Sequence, residues 1–259
     1  MGHIRVGVLP KYTKWKDVIG LLEDTDVPVT KVADKVLTNS NNILTSEPSI
    51  SSIGYCIWLL SQLTLASRED DFLDRLAYIE IDVSESTSAT EFLSRIISVA
   101  TKQLSDITPQ NAITNIADLS LRESLTRTIG LYANTLFGTG ISDVQQSLSK
   151  FSTQKRFSDL LHIYFASFLR RTLLFVLDKE MANQLGPDKR FSSIDDIEDF
   201  ELAIRRFASE TTRIVDEFSG GWYSKRAWQQ GDISEADATR FAHVAVRKLL
   251  DDLSLNEVQ

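Results

Sequence analysis

The sequence predicts an all-α protein, and three observations lead to this fold class. The chain of 259 residues has only 11 glycines and 5 prolines, which is sparse for the many turns of an all-β protein. Most apolar residues recur at the spacing of one helical face. Strand-like alternation is confined to HIRVGVL near the N-terminus and YIEIDV at 78–83. We expect a bundle-like array of about nine to eleven helices, with a short N-terminal strand or an extended arm.

The first half of the chain predicts several helices in succession. Their starts are marked by residues that can cap backbone N–H groups: Thr13, Thr30 and Ser88, the last at capping-box spacing from Glu91. The segment 49–66 is apolar on more than one face, which predicts a helix buried on most sides. YIEIDV is either a strand or the end of a helix followed by a connection.

The second half predicts three long helices, which begin at Ser152 or Thr153, at Ser193 and at Ser234. The first is expected to run to about Gln184. The second is expected to end near Phe218, where two adjacent glycines would form a tight corner. Glycines and polar residues collect at 138–152, so the domain at 1–259 is either one helical body or two lobes at 1–140 and 150–259.

Composition and charge limit the cellular setting and the partners. The chain is 42% hydrophobic and 25% charged, which is ordinary for a soluble globular protein. Its net charge of −8 argues against nucleic acid as a main partner. No secretory signal is apparent near the N-terminus. No apolar run is long enough to span a membrane, because Arg170 and Arg171 interrupt the most apolar one. We therefore expect a cytoplasmic protein with no membrane contact.

The inventory of reactive side chains is small. The single cysteine, Cys56, excludes an internal disulfide and a cysteine-based zinc site, and its apolar neighbours predict a buried thiol. Three histidines are present, but no metal-spaced histidine cluster, nucleophile elbow or phosphate-binding loop accompanies them. The sequence predicts neither a cofactor nor a metal.

One stretch, DEFSGGWYSKRAWQQGDIS at 216–234, concentrates aromatic and basic residues around the predicted corner. Tryptophan, tyrosine and arginine dominate the binding energy of protein interfaces. This stretch is therefore the candidate partner-binding site, with contacts from Trp222, Tyr223, Lys225, Arg226 and Trp228. The alternative is a structural corner in which the aromatic side chains fill the core.

A second candidate is the segment RFSDLLH, in which Arg156 and His162 are separated by five residues near the start of a long helix. This spacing resembles the arginine–histidine signature of HEPN ribonucleases. The resemblance covers seven residues. It implies metal-independent RNA cleavage by Arg156 and His162 at a dimer interface. In a regular helix, however, positions six apart differ by about 240° around the axis.

A third candidate is the pair Arg170 and Arg171, in the middle of the most apolar helix. Buried arginines require carboxylate partners, and a glutamate of the helix beginning at Ser193 is the expected one. The alternative is an anion-contact site in a pocket between the two long helices, which would make the protein a sensor of a small anionic ligand.

These observations favour a non-catalytic helical subunit of a larger cytoplasmic protein assembly. Other protein subunits are the expected partners, and a homo-oligomer is an open alternative. The HEPN-like ribonuclease and the anionic-ligand sensor are the two competing functions. A bacterial toxin or phage-defence system would be compatible with the subunit and with the ribonuclease.

Overall fold

The computed structural model describes residues 13–109, 111–129 and 140–256, and within them the chain is all-α. Eleven helices form, and an isolated β-bridge joins Leu185 to Phe191. The helices are α1 (Thr13–Glu23), α2 (Val29–Leu44), α3 (Glu47–Ala66), α4 (Phe72–Tyr78), α5 (Ala89–Ile107), α6 (Ala112–Ile129), α7 (Ile141–Ser149), α8 (Gln154–Asn183), α9 (Ile194–Thr211), α10 (Arg213–Gln230) and α11 (Glu235–Asn256). The predicted fold class is confirmed. The predicted N-terminal strand or arm lies outside the described residues.

Capping residues begin several helices at the predicted positions. The side chain of Thr153 accepts a hydrogen bond from the backbone N–H of Arg156 at the start of α8. Ser193 caps α9 in the same way and forms a reciprocal capping box with Asp196. Local side-chain chemistry thus sets these starts, because a cap satisfies backbone donors that the helix leaves unpaired.

The core is one cluster of buried apolar side chains drawn from all eleven described helices. α3 is buried on most sides and packs on α11, α6 and α5. α8 packs on α10, α6 and α9. Helices before residue 140 therefore pack directly against helices after residue 150.

The second of the three predicted long helices is divided at Thr212, which corrects the sequence expectation. The buried Thr212 hydroxyl donates to the carbonyl oxygens of Ala208 at 2.8 Å and Ser209 at 3.2 Å. A threonine that bonds back to the preceding turn often bends a helix. The helical segment before Thr212 is α9, and the segment after it, α10, carries the predicted partner-binding residues.

Two helices, α3 and α8, are long and apolar enough to cross a membrane by length and composition alone. Most of the apolar window of α3 is buried against other helices, and more than half of that of α8 is buried. Core helices of this length meet the same criterion, so the finding is weak evidence for a membrane location.

Candidate functional site

The predicted corner at Gly220 and Gly221 is absent, because α10 continues through both glycines to Gln230. A Cβ atom on Gly220 would lie 2.6 Å from the carbonyl oxygen of Gln154, at the start of α8. Gly220 therefore permits a close approach of two helices. The left-handed residue that ends α10 is Gly231, with φ of 68°.

The five predicted contact residues of α10 differ in their burial. Tyr223 is 1% exposed. Its ring stacks on that of Phe157 with centroids 3.9 Å apart, and its hydroxyl oxygen lies 3.2 Å from Thr64 Oγ1. Trp222 is half-buried against Phe241, with ring centroids 4.3 Å apart. Both side chains contribute to the core, as the structural alternative predicted. Tyr223 is therefore unavailable for surface contact.

The remaining three candidates lie nearer the surface. The half-buried Arg226 places Nη1 3.3 Å from Oδ1 of Asp237 in α11. Lys225 is exposed, and Trp228 is 87% exposed. The structural alternative, in which the aromatic side chains of this stretch fill the core, therefore does not hold for Trp228. Residues three apart share a helix face, so Lys225 and Trp228 lie on one side of α10.

A groove of about 430 Å³ lies between α3, α4 and the turn that follows α10. Gly231 and Asp232 line it from the α10 side, and Tyr78 lines it from the end of α4. Tyr78 is 90% exposed. The groove also contains Gln62, whose side-chain amide donates to Asp232 Oδ1 and to the carbonyl oxygen of Ile233, each at 2.8 Å. This hydrogen bonding fixes the turn after α10 to α3.

Tyr78 was not among the residues that the sequence indicated. It stands at the beginning of YIEIDV, where the pattern left a strand and a helix end equally open. The structure ends α4 at Tyr78. The signal that could have identified it is the helical spacing of Asp74 and Tyr78 within DFLDRLAY, which places both on one helix face.

Arg170 and Arg171 both pair with a carboxylate within the protein, but this carboxylate lies in α6 rather than in α9 as predicted. Oε2 of Glu123 lies 2.9 Å from Nη2 of Arg170 and 3.1 Å from Nη2 of Arg171. The same oxygen accepts a hydrogen bond of 2.6 Å from Ser167 Oγ. Burial by itself would raise the pKa of Glu123, but the Ser167 hydrogen bond and the two arginines outweigh it and lower the pKa.

A small cavity of about 180 Å³ reaches Arg170 between α8 and α9. Its lining combines Arg170 and Arg205 with the carboxylates of Glu198 and Glu201. These opposite charges balance, and the Arg170 side chain is already paired with Glu123. The lining therefore offers an anionic ligand little net attraction.

Arg156 and His162 contact different groups, although both lie on α8. Arg156 is exposed, and its Nη1 lies 3.7 Å from Oδ2 of Asp159. The largely buried His162 faces α9 and α10, where Nε2 is 3.3 Å from Ser209 Oγ and Nδ1 is 3.4 Å from Asp216 Oδ2. Partial burial raises the pKa of Asp216, His162 opposes the shift, and Asp159 adds to it.

The His162 imidazole lies between a serine hydroxyl and a carboxylate, those of Ser209 and Asp216, as the histidine of a hydrolase triad does. The geometry is poor for that reaction, since Nδ1 of His162 makes no hydrogen bond within the described residues. A triad requires that bond to orient the imidazole. Ser209 also lies inside α9, where neighbouring backbone N–H groups bond within the helix. The arrangement instead joins α8 to the α9–α10 junction.

The described residues offer neither a metal-binding cluster nor a reactive thiol. No group of three histidine, cysteine or carboxylate side chains there could hold a metal ion. Cys56 is buried as predicted, with Sγ 3.7 Å from the carbonyl oxygen of Ala117. Burial raises the pKa of this thiol to about 12, so it stays protonated near neutral pH and is a poor nucleophile.

Comparison of this chain with models of known families, with curated proteins and with solved structures finds no match. The functional indication that the structure offers is two exposed aromatic side chains: Tyr78, which lines the groove, and Trp228, on α10 three residues before Gly231.

Proposed function

We propose that this protein is a non-catalytic subunit of a larger cytoplasmic protein assembly. Its contact with another protein is made at a surface that we call the aromatic groove. We define it as the groove between α3, α4 and the turn after α10, together with the exposed side chains of Tyr78 and Trp228. The observation that carries the proposal is the exposure of two large aromatic side chains, 90% for Tyr78 and 87% for Trp228.

The exposure of these two aromatics has a physical cost that binding would remove. A tryptophan or tyrosine side chain buries roughly 150–250 Å² when covered, so leaving both in water forgoes several kcal/mol of hydrophobic stabilisation, on the order of 25 cal/mol per Å². Both residue types recur at the energetic centres of protein interfaces. The other aromatic residues of α10, Trp222 and Tyr223, pack inward, so the exposure of Trp228 is not a general property of this helix.

The test begins with native mass spectrometry of the protein purified gently from its own host. We expect a partner protein at fixed stoichiometry with the wild type. Trp228→Ala should lose this partner while its thermal melt stays within about 2 °C of the wild type, since an exposed substitution changes stability by roughly 0.5 kcal/mol or less. Leu202→Ala on α9 is the matched control, because Leu202 is also an exposed apolar helix residue.

Three outcomes would contradict the proposal. One is retention of the partner by Trp228→Ala, and another is equal loss with Leu202→Ala, which would place the contact elsewhere. The third is cleavage of RNA by the purified protein that disappears in His162→Ala, which would favour the HEPN-like ribonuclease. A Trp228-dependent homodimer without a second protein would replace the hetero-complex with self-association.

A further inference from the structure

We propose that the partner segment bound in the aromatic groove is basic, with lysine or arginine side chains lying against Tyr78 and Trp228. This inference rests on the proposed function, because it specifies the chemistry of the protein that the exposed aromatics contact.

Carboxylates predominate on both sides of α4. The aromatic groove lies on one side, and a depression of about 550 Å³ on the other shares Asp71 and Asp74 with it. Among the described residues that line the two, the acidic ones are Asp70, Asp71, Asp74, Glu85 and Asp232, and the basic one is Arg75. The charge of Arg75 is already balanced, since its Nε lies 2.8 Å from Asp71 Oδ1. The surplus negative charge is thus available to a cationic partner.

The aromatic ring and a carboxylate are placed so that one cation could contact both. Asp74 and Tyr78 are four residues apart in α4, and both are exposed. Side chains at this spacing are neighbours on a helix surface. A lysine or arginine over the Tyr78 ring would gain a cation–π contact and would also lie near the Asp74 carboxylate. Trp228 is three residues before Gly231, which lines the groove. Tryptophan is the aromatic residue that favours cation–π contacts most.

The floor of the groove suits the hydrocarbon part of a basic side chain. Leu65, Ala66 and Ile79 line it, and all three are largely buried. Lysine and arginine place their methylene stems along apolar surface while their charged ends stay near water or carboxylates. A phosphate backbone or an acidic peptide would meet repulsion from Asp74 and Asp232. Charge complementarity therefore selects a basic protein segment.

The inference can be tested with two short synthetic peptides that share their apolar residues but carry either arginine and lysine or glutamate and aspartate. Binding of each labelled peptide to the full chain is followed by fluorescence anisotropy. We expect the basic peptide to bind and to weaken as salt is raised, because salt screens exposed charge pairs. Trp228→Ala should weaken binding about tenfold, and Asp74→Asn about threefold. Asp199→Asn on α9 is the matched control, since it removes the same exposed charge outside the groove.

The outcomes separate this inference from the proposed function. If a host partner is captured through Trp228 but the acidic peptide binds as well as the basic one, the basic segment is refuted and the subunit function stands. If Asp74→Asn and Asp199→Asn weaken the basic peptide equally, the attraction is that of the whole acidic protein and the groove assignment is refuted. If neither a peptide nor a host partner depends on Trp228, both proposals fail.

Discussion

Replacing Gly220 with alanine should force α10 away from α8, whereas the same change at Gly221 should be harmless. The new Cβ at Gly220 would lie 2.6 Å from the carbonyl oxygen of Gln154 and 2.9 Å from its Cγ. The oxygen belongs to the backbone in the first turn of α8 and cannot turn aside as a flexible side chain could. At Gly221 nothing lies within 4 Å of the corresponding position.

The magnitude follows from two opposing effects. Alanine is favoured over glycine inside a helix by roughly 0.5–1 kcal/mol, and both variants gain this amount. Overpacking a tight helix contact costs about 1–3 kcal/mol, and only Gly220→Ala incurs this cost. The two variants should therefore differ by about 1–3 kcal/mol, or roughly 2–12 °C in melting temperature for a chain of this size. Gly221→Ala should be more stable than the wild type.

Urea unfolding followed by circular dichroism measures this difference directly. The dependence of the unfolding free energy on urea should be the same in all three proteins, so that the midpoints report stability alone. Equal destabilisation of both variants would refute the reasoning, because it would indicate that the glycines form a corner instead of a continuous helix. Equal stabilisation of both variants would indicate that α8 and α10 lie farther apart than the distance of 2.6 Å between the Gly220 Cβ position and the Gln154 oxygen implies.

Two further predictions concern the interior polar contacts. Glu123→Gln should destabilise the protein by about 1–3 kcal/mol at pH 7, because it removes the charge shared by two arginines. Its control, Glu201→Gln on the exposed face of α9, should change stability by less than about 0.5 kcal/mol. The folded-state pKa of Glu123 is lowered, so the stability that its ionised carboxylate contributes is complete above the unfolded pKa of about 4.3 and is lost as pH falls through the folded pKa. Urea titrations of both proteins at several pH values measure this dependence. A stability deficit of Glu123→Gln that grows below pH 4 would contradict the prediction. Tyr223→Phe should cost about 1 kcal/mol, since it removes the hydroxyl contact with Thr64 and keeps the stacked ring. It should leave partner capture unchanged, and loss of the partner with this variant would place Tyr223 in the interface.

Part of the site could be predicted from the sequence and part could not. Trp228 was predicted to be a contact residue because residue type and local clustering are visible in the sequence, and its role in binding stays a prediction. Its neighbour Tyr223 was assigned to the same surface, but the structure buries it between α8 and α3. Tyr223 and Trp228 are five residues apart in α10 and face different surroundings, so clustering in the sequence does not predict which of them is exposed.

The arginine pair illustrates the same limit. The need of Arg170 and Arg171 for a carboxylate followed from their apolar neighbours. The partner, Glu123, lies more than 40 residues earlier in the chain, and no local pattern distinguishes it from the glutamates of α9. Distant side chains are brought together by packing, so electrostatic pairing of this kind is decided by the tertiary structure.

The sequence by itself determined the all-α class and the starts of α8, α9 and α11, because helical periodicity and capping act within a few residues. The tertiary structure decided that α10 runs through Gly220 and Gly221, because the contact with α8 lies outside any local pattern. It also decided which aromatic residues are exposed. Tyr78 and Trp228 remain in water because no other helix in the described part of the chain covers either side chain.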